Sequence, residues 1–466
     1  LQGDNLEKTT TEFKRVLRRS DVLFLSFGAM VGWGWVVLVG SWISTAGSIG
    51  SILSFVLGGI LIIFVGLTYS ELTSAIPNTG GEQLFCYRAM GFKASFISAW
   101  SILLGYISVI SFEAIALPMV SEYIFPSLKF LHLWNVAGSE VYLSWILIAV
   151  AGSVLFSILN YLGMQIASFL QNLFTIVIFL VGIILLGGSI INGSFANLKP
   201  YFVGNANGVF KVLMITPFML MGFNVVPQIA GEINLPPKMI GKLLIFSVIL
   251  AVIWYILIIF AVSSAMNLDQ ISNSSLVTAD AMGILFKGKW ASSLLIFGGI
   301  CGILTTWNAF FMGCSRIIYS MAHEGMIPDL FGKLHSKRKT PYNAIIFIGI
   351  ITSVTALFGR KMLYYLADAG SLGIMVTYGL VAVSFLILRK KKPTLERPFK
   401  AKNGIAVGIV SVIFCIFFIG LFFPGSPVSL IWPYEWIIII FWVLLGFLLY
   451  LKSTKSKKNK SIEPSD

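Results

Sequence analysis

Charge is what this chain has least of. Only 11% of its 466 residues are Asp, Glu, Lys or Arg, and 57% are hydrophobic, whereas soluble domains carry roughly 25% charged and 45–50% apolar residues. Water is thereby excluded as the main solvent. Histidine is nearly missing too. His132, His323 and His335 all fall in segments predicted as loops, so neither a histidine relay inside a membrane nor a His-ligated metal has candidate residues. The four cysteines, Cys86, Cys301, Cys314 and Cys415, lie in a predicted cytoplasmic loop or inside apolar runs, without metal-ligand spacing. Structural disulfides are not expected from them. With no paired carboxylates in the apolar runs and no phosphate loop, an enzyme would lack its acid–base, nucleophilic or metal constellation, so no enzymatic activity and no cofactor is expected.

What the chain does have is apolar runs long enough to cross a hydrocarbon core of about 30 Å as helices, about twelve of them. They cover 22–46, 52–76, 94–124, 141–162, 166–191 and 209–230 in the first half, then 243–265, 290–319, 343–358, 363–388, 405–423 and 430–451. The ninth is the shortest. All are apolar on every side rather than alternating, which selects helices over a barrel. The expected fold class is an all-α integral membrane protein.

Placing the N-terminus in the cytoplasm leaves Lys129, Lys199, Lys211, Lys287, Lys289, Arg360 and Lys361 as the basic residues of the other side. The remaining Lys and Arg then fall in cytoplasmic loops and ends, as the positive-inside rule requires, and an even number of spans puts both termini in the cytoplasm. The net charge of +14 is accounted for by this topology and by contact with anionic lipid, not by nucleic acid. The first span is too long and too glycine-broken to be a cleaved signal. The expected location is a cell membrane, with the bilayer as partner.

Two spans carry internal breaks. Residues 28–36 read GAMVGWGWV and residues 218–224 read FMLMGFN, with Pro227 just beyond. Each glycine costs a helix about 1 kcal/mol against alanine. Gly28 and Gly32 alone would also fit close helix packing. Matching weak points in spans 1 and 6 are the mark of an inverted repeat with a ligand at the bilayer midplane. Unwinding frees N–H and C=O groups that lipid cannot satisfy but an amphoteric ligand can.

With the spans placed, the chain resembles the amino acid, polyamine and organocation superfamily of permeases. Five stretches carry the resemblance: 28–36; 69–91, YSELTSAIPNTGGEQLFCYRAMG; Asn160, Gly163, Gln171, Asn172 and Thr175; Gly222 and Phe223 followed by Ala230, Glu232 and Pro236; and 315–328, SRIIYSMAHEGMIP, continuing through Thr340, Pro341, Asn343 and Ala344 to 388–400. The resemblance implies a LeuT-type 5+5 inverted repeat plus two C-terminal helices. The divisions are a tail at 1–20, repeats at 21–195 and 196–389, a basic loop with helices 11 and 12 at 390–451, and a basic tail at 452–466.

It further implies that backbone around Gly32, Trp33 and Gly34 binds a substrate carboxylate, that carbonyls near Met30 and residues 218–221 bind its amino group, and that Phe218 covers it. Met221, Gly222, Phe223 and Asn224 belong to the same break, and Trp307 with Asn308, and Phe112 with Glu113, are implied as cavity lining. Two residues depart from the family pattern. Trp33 stands where relatives carry a small or hydroxylated residue, and Ile178 where some proton-coupled relatives carry lysine. Coupling is left to another group, to H+ or Na+, or to substrate exchange.

Glu113 lies among apolar neighbours, where a carboxylate costs on the order of 3 kcal/mol, so it faces a cavity or a partner, or lies nearer the surface. Glu71 and Arg316 sit at cytoplasmic helix ends and are expected to anchor or gate, and Asp368 is expected to be solvated from outside. The leading function is a permease for an amino acid; an organic amine or polyamine carrier using Glu113 is the alternative, and a nutrient sensor without turnover is a third, disfavoured because both predicted tails are short. Oligomeric state is left open.

Overall fold

A computed structural model describes residues 13–136, 138–359, 361–426 and 429–460. The first twelve residues, Arg360 and the last six residues, which the topology assigned to the tails and to an outer loop, lie outside the described residues.

Among the described residues nine helices are long and apolar enough to cross a membrane: α4 (Ser48–Ala75), α6 (Phe92–Ile124), α7 (Leu143–Leu162), α8 (Met164–Asn192), α11 (Pro237–Ala265), α14 (Lys289–His323), α16 (Met362–Lys391), α17 (Gly404–Leu421) and α18 (Tyr434–Lys460). A shorter apolar helix, α15 (Tyr342–Thr355), runs into a 3-10 turn ending at Phe358. The two spans with predicted breaks are interrupted. The first is α1 (Arg19–Met30), α2 (Gly34–Val37) and α3 (Val39–Ala46). The sixth is α9 (Asn205–Met219) and α10 (Val225–Gln228).

Lipid is the solvent for this fold, so its outer faces are apolar. On α17 the exposed side chains include Ile405, Ile409, Ile413 and Ile416, and on α18 Ile437, Phe441, Leu444 and Leu448. Their spacing of three or four residues marks one helix face. The other face of α18 is tied to α6, where Trp100 and Trp442 stack at 4.4 Å and each indole N–H donates to the other's carbonyl at 2.9 Å. The centre of the bundle holds α2, α6 and α14, with fully buried Trp35, Tyr106 and Trp307.

Several connections are more structured than the sequence implies. An antiparallel hairpin, β1 (His132–Val136) with β2 (Ser139–Tyr142), caps the end of α6 and holds His132, so the chain is not wholly helical and that histidine is not in a loop. A peripheral hairpin can satisfy its unpaired edges from water, which a buried span cannot. It also takes Val141 into a strand, and the fourth span begins at Leu143. His323 closes the last turn of α14, with its ring 4.6 Å from Tyr319. The stretch holding Cys86 folds as α5 (Glu82–Met90), and α12 (Leu268–Ser272) and α13 (Val277–Leu285) lie between the seventh and eighth spans. All four cysteines are free and buried.

One face is recognisable by the N-terminal segment. There Val16 N–H donates to Glu232 O and Asn234 N–H to Leu17 O, both at 2.9 Å. Buried ion pairs cluster on the same face. Arg316 binds Glu232 at 2.8 Å, and Glu71 is held by Arg389 at 2.5 Å and Arg397 at 3.1 Å. Glu71 and Arg316 thus bind structural partners and line neither of the cavities described next.

Candidate functional site

The two interrupted spans face each other at their breaks. Residues 31–33 separate α1 from α2, and residues 220–224 separate α9 from α10. Gly222 has φ +134°, a conformation that side-chain-bearing residues rarely adopt, and a Cβ added there would stand 2.7 Å from the carbonyl carbon of Ala29 and 2.8 Å from Met30 N. The missing side chain is what lets one break lie against the other.

Polar side chains take up part of the freed backbone. The Tyr255 hydroxyl donates to Met30 O at 2.8 Å and Thr306 Oγ1 to Gly28 O at 3.2 Å. Gly222 N–H donates to Asn224 Oδ1 at 3.1 Å, and the Tyr106 hydroxyl donates to Asn224 O at 2.9 Å. A small cavity of about 40 Å³ lies between the breaks, bordered by Met30, Gly32, Trp33, Gly34, Phe112, Glu113, Phe218 and Met221. Trp33, Gly34, Phe112, Phe218 and Met221 also border a larger, mainly apolar cavity of about 570 Å³ that runs away from the N-terminal face to Leu363, Asp368 and Ser429. Asp368 is exposed there by its surface area. Phe112 and Phe218, which border both cavities, meet edge to face at 6.3 Å.

Glu113 is only 3% exposed, and its Oε2 has no hydrogen-bond partner. A Cβ on Gly32 would come within 2.8 Å of its Oε1. The carboxyl therefore points at the helix 1 break. Trp33 is 4% exposed and lies across Gly299, where an added Cβ would be 2.2 Å from the indole ring. The indole fills space that Gly299 leaves, so it forms a wall of the cavity rather than a plug. Ile178 is fully buried in α8 and brings no charge to this region.

Five sequence candidates line neither cavity. Trp307 turns toward α7, stacking on Phe156 at 5.0 Å with Gly152 beneath its ring. Its helical neighbour Thr306 borders the small cavity together with Phe310, because adjacent helix positions point about 100° apart. Gly222 is committed to packing. Phe223 packs edge to face on Tyr69 at 5.3 Å and tilted on Tyr378 at 5.5 Å, and Asn224 caps the broken backbone. Asn308 bridges to Gln171 Oε1 at 3.0 Å and Ala167 O at 2.9 Å, away from the cavities. Gly28 serves packing, its absent Cβ making room for Thr175 and Gln171. Sequence reasoning missed Thr306, Phe310 and Tyr255; a polar residue spaced four from an aromatic in α14 was the available signal for the first two.

The nine long apolar helices among the described residues, with an interior cavity bordering two facing helix breaks, define a multi-pass membrane protein. The chain belongs to the amino acid permease family, whose model matches residues 17–457, within the amino acid, polyamine and organocation superfamily. It is 28% identical over 470 residues to the branched-chain amino acid permease BcaP of Bacillus subtilis (strain 168), covering 96% of this chain and 94% of that one. It is 25% identical to the methylthioribose transporter of the same organism, with 97% and 95% covered, and 26% identical to its aspartate-proton symporter, with 87% and 79% covered.

Proposed function

We propose that this protein is a secondary active transporter that carries an amino acid with an apolar side chain across a cell membrane by alternating access. The observation that carries this reading is the pair of facing breaks, with a cavity of about 40 Å³ between them that shares its wall with one of about 570 Å³. On the measure in which a cavity needs about 10–15 Å³ to hold one water, the small cavity has room for the polar head of an amino acid, and the rest of the substrate extends into the larger one. There Val37, Met119, Met214, Ile374 and Met375 offer an apolar side chain its surroundings. Free backbone groups around Gly32 and Gly34 take the carboxylate, and carbonyls near Met30 and Met221 the ammonium.

In this reading the nine long helices, α15 and the two interrupted spans make twelve crossings, ordered as a LeuT-type 5+5 repeat followed by α17 and α18, with both termini in the cytoplasm. The N-terminal face is then cytoplasmic and closed, and the large cavity opens outward. The name of the branched-chain permease supports the apolar substrate. H+ or Na+ supplies the driving force.

Glu113 favours a second reading, an organic amine carrier, because its carboxyl borders the small cavity with one oxygen unpaired. A thermal-shift screen with leucine, isoleucine, valine and amines, with and without sodium, tests both. Saturation at about 100 times Kd stabilises by about 2.7 kcal/mol, so a true substrate gives a clear rise in melting temperature. Counterflow in liposomes then compares wild type with Glu113→Gln. Retained leucine exchange with lost amine exchange assigns Glu113 to the amine reading. Stabilisation only by compounds outside both classes sinks the proposal.

A further inference from the structure

On the N-terminal face α5 packs against the second half of the interrupted span that holds α10, and the contact buries a carboxyl group that the site just described does not use. Glu82, the first residue of α5, is 0% exposed. Gln228 Nε2 donates to its Oε2. Its other oxygen, Oε1, has no partner at full hydrogen-bonding geometry, although the Tyr69 hydroxyl and the Asn224 amide face the carboxyl, and Gln228 Oε1, also fully buried, has no donor. The contact around them is tight. Gly80 N–H donates to Gln228 O at 3.3 Å, an added Cβ on Gly81 would be 2.8 Å from Pro227 Cβ, and one on Gly231 would be 2.4 Å from Thr79 Oγ1.

The groups facing Glu82 are Tyr69 from α4, Tyr106 from α6, Tyr378 from α16, Asn224 and Gln228 from the sixth span, and Cys86 on its own helix. None of these is a cation. From α14, Ser320 meets Gln83 and Gly80, and Arg316 is bound by Glu232. Contrast Glu71 on the same face, held between Arg389 and Arg397. One buried glutamate has paired charges; the other has an amide.

A carboxylate can only accept, so facing a primary amide it completes one bond and leaves the amide oxygen without a donor. A neutral carboxylic acid completes both, because its O–H donates to the amide oxygen while its carbonyl accepts from the amide nitrogen. Protonation thus satisfies the two orphan oxygens at once, and an orphan of this kind costs about 1–3 kcal/mol. Burial pushes the Glu82 carboxyl up from 4.5 to about 8, outweighing the hydrogen bonds that favour its charged form.

We propose that Glu82 is a proton-binding site of the carrier: it takes one proton from water when α5 closes on Gln228, and it returns that proton when the N-terminal face opens. One O–H bond forms and later breaks, and no other bond changes. The site lies apart from the substrate cavity but is joined to it, since Asn224, beside Glu82, caps Gly222 at the helix 6 break. Calling this proton the coupling ion rests on the transport reading; the protonation itself does not.

The test is infrared difference spectroscopy of the purified protein across a pH titration, reading the carbonyl stretch of protonated carboxyl groups. Wild type is expected to lose one such band as pH rises through about 8, and Glu82→Gln to lack that change. Unaltered difference bands in Glu82→Gln overturn the proposal. Should that variant fail to fold, Gln228→Met keeps the carboxyl and removes its amide, so the band must shift in frequency and midpoint; an unmoved band again overturns it. In liposomes with a trapped pH dye, leucine uptake by wild type carries protons, while Glu82→Gln exchanges leucine without net proton movement. If the band is assigned to Glu82 but no amino acid crosses, the transport reading fails and the proton site stands. Leucine uptake without proton movement in wild type overturns the coupling role.

Discussion

Replacing Gly222 by alanine isolates the contact on which the chamber depends. The residue sits at φ +134°, and the new Cβ would meet Ala29 C at 2.7 Å, Met30 N at 2.8 Å and Ala29 Cβ at 2.9 Å. Two of these are backbone atoms and cannot rotate away. Holding a non-glycine residue in such a conformation costs about 1–3 kcal/mol, and overpacking of a well-filled site costs about 1–3 kcal/mol more. The expected loss is roughly 2–6 kcal/mol, a large part of the stability of a typical fold. If the protein relaxes instead, it does so by parting the two breaks, which removes ligand stabilisation. Gly187→Ala is the matched control, because nothing lies within 4 Å of its added Cβ on α8. There alanine gains about 1 kcal/mol of helix propensity. Melting of the detergent-solubilised protein, with and without leucine, compares them. Equal melting temperatures and equal leucine shifts in the two variants would refute the geometry.

Other expectations follow from contacts of the same kind. Trp33→Ala is expected to cost about 3–5 kcal/mol as a buried aromatic deletion, seen as a lower melting temperature; Gly299→Val is expected to lower the melting temperature too, by driving the indole off its seat. Glu232→Gln leaves Arg316 buried with its charge unpaired, and thermal melting is expected to show a loss of about 3–5 kcal/mol. The raised Glu82 carboxyl makes the folded state bind a proton that the unfolded state, near 4.5, releases sooner. Its contribution is therefore full below about 4.5, declines as pH rises, and is lost through about 8. Melting curves of wild type and Glu82→Gln should keep a constant offset at the acid end and diverge between those values, with wild type falling; parallel curves throughout would count against the raised pKa.

The breaks were legible because lipid makes them costly. Glycines and an asparagine inside an apolar run have few uses in a bilayer, so 28–36 and 218–224 stood out, and Gly32, Trp33, Gly34, Phe218 and Met221 do border the chamber. Direction was not legible. Inside an irregular segment no period relates neighbours, and while Met221 faces the cavity, Phe223 turns to Tyr69 and Tyr378. In α14 a period exists, but an aromatic and a hydroxyl at adjacent positions both suit a binding wall, and only packing against Phe156 shows that Trp307 belongs to the scaffold and Thr306 to the site.

Trp33 shows why such choices need the whole fold. Read locally, an indole between Gly32 and Gly34 takes up substrate volume. In the structure its ring occupies the space over Gly299, and the Gly32 carbonyl lies against Gly302, where an added Cβ would be 2.9 Å away. Two glycines one helical turn apart on α14 thus receive the helix 1 break and its bulky residue together, because helices approach closely where side chains are smallest. Whether a large residue closes a pocket is decided by the volume its partner helix has given up, and that volume sits far away in sequence. A Trp33→Ser variant should for this reason leave a void over Gly299 instead of a new contact to the ligand. It is expected to melt lower than wild type and to bind leucine no more tightly; tighter binding would mean that the indole, and not the scaffold, limits the chamber.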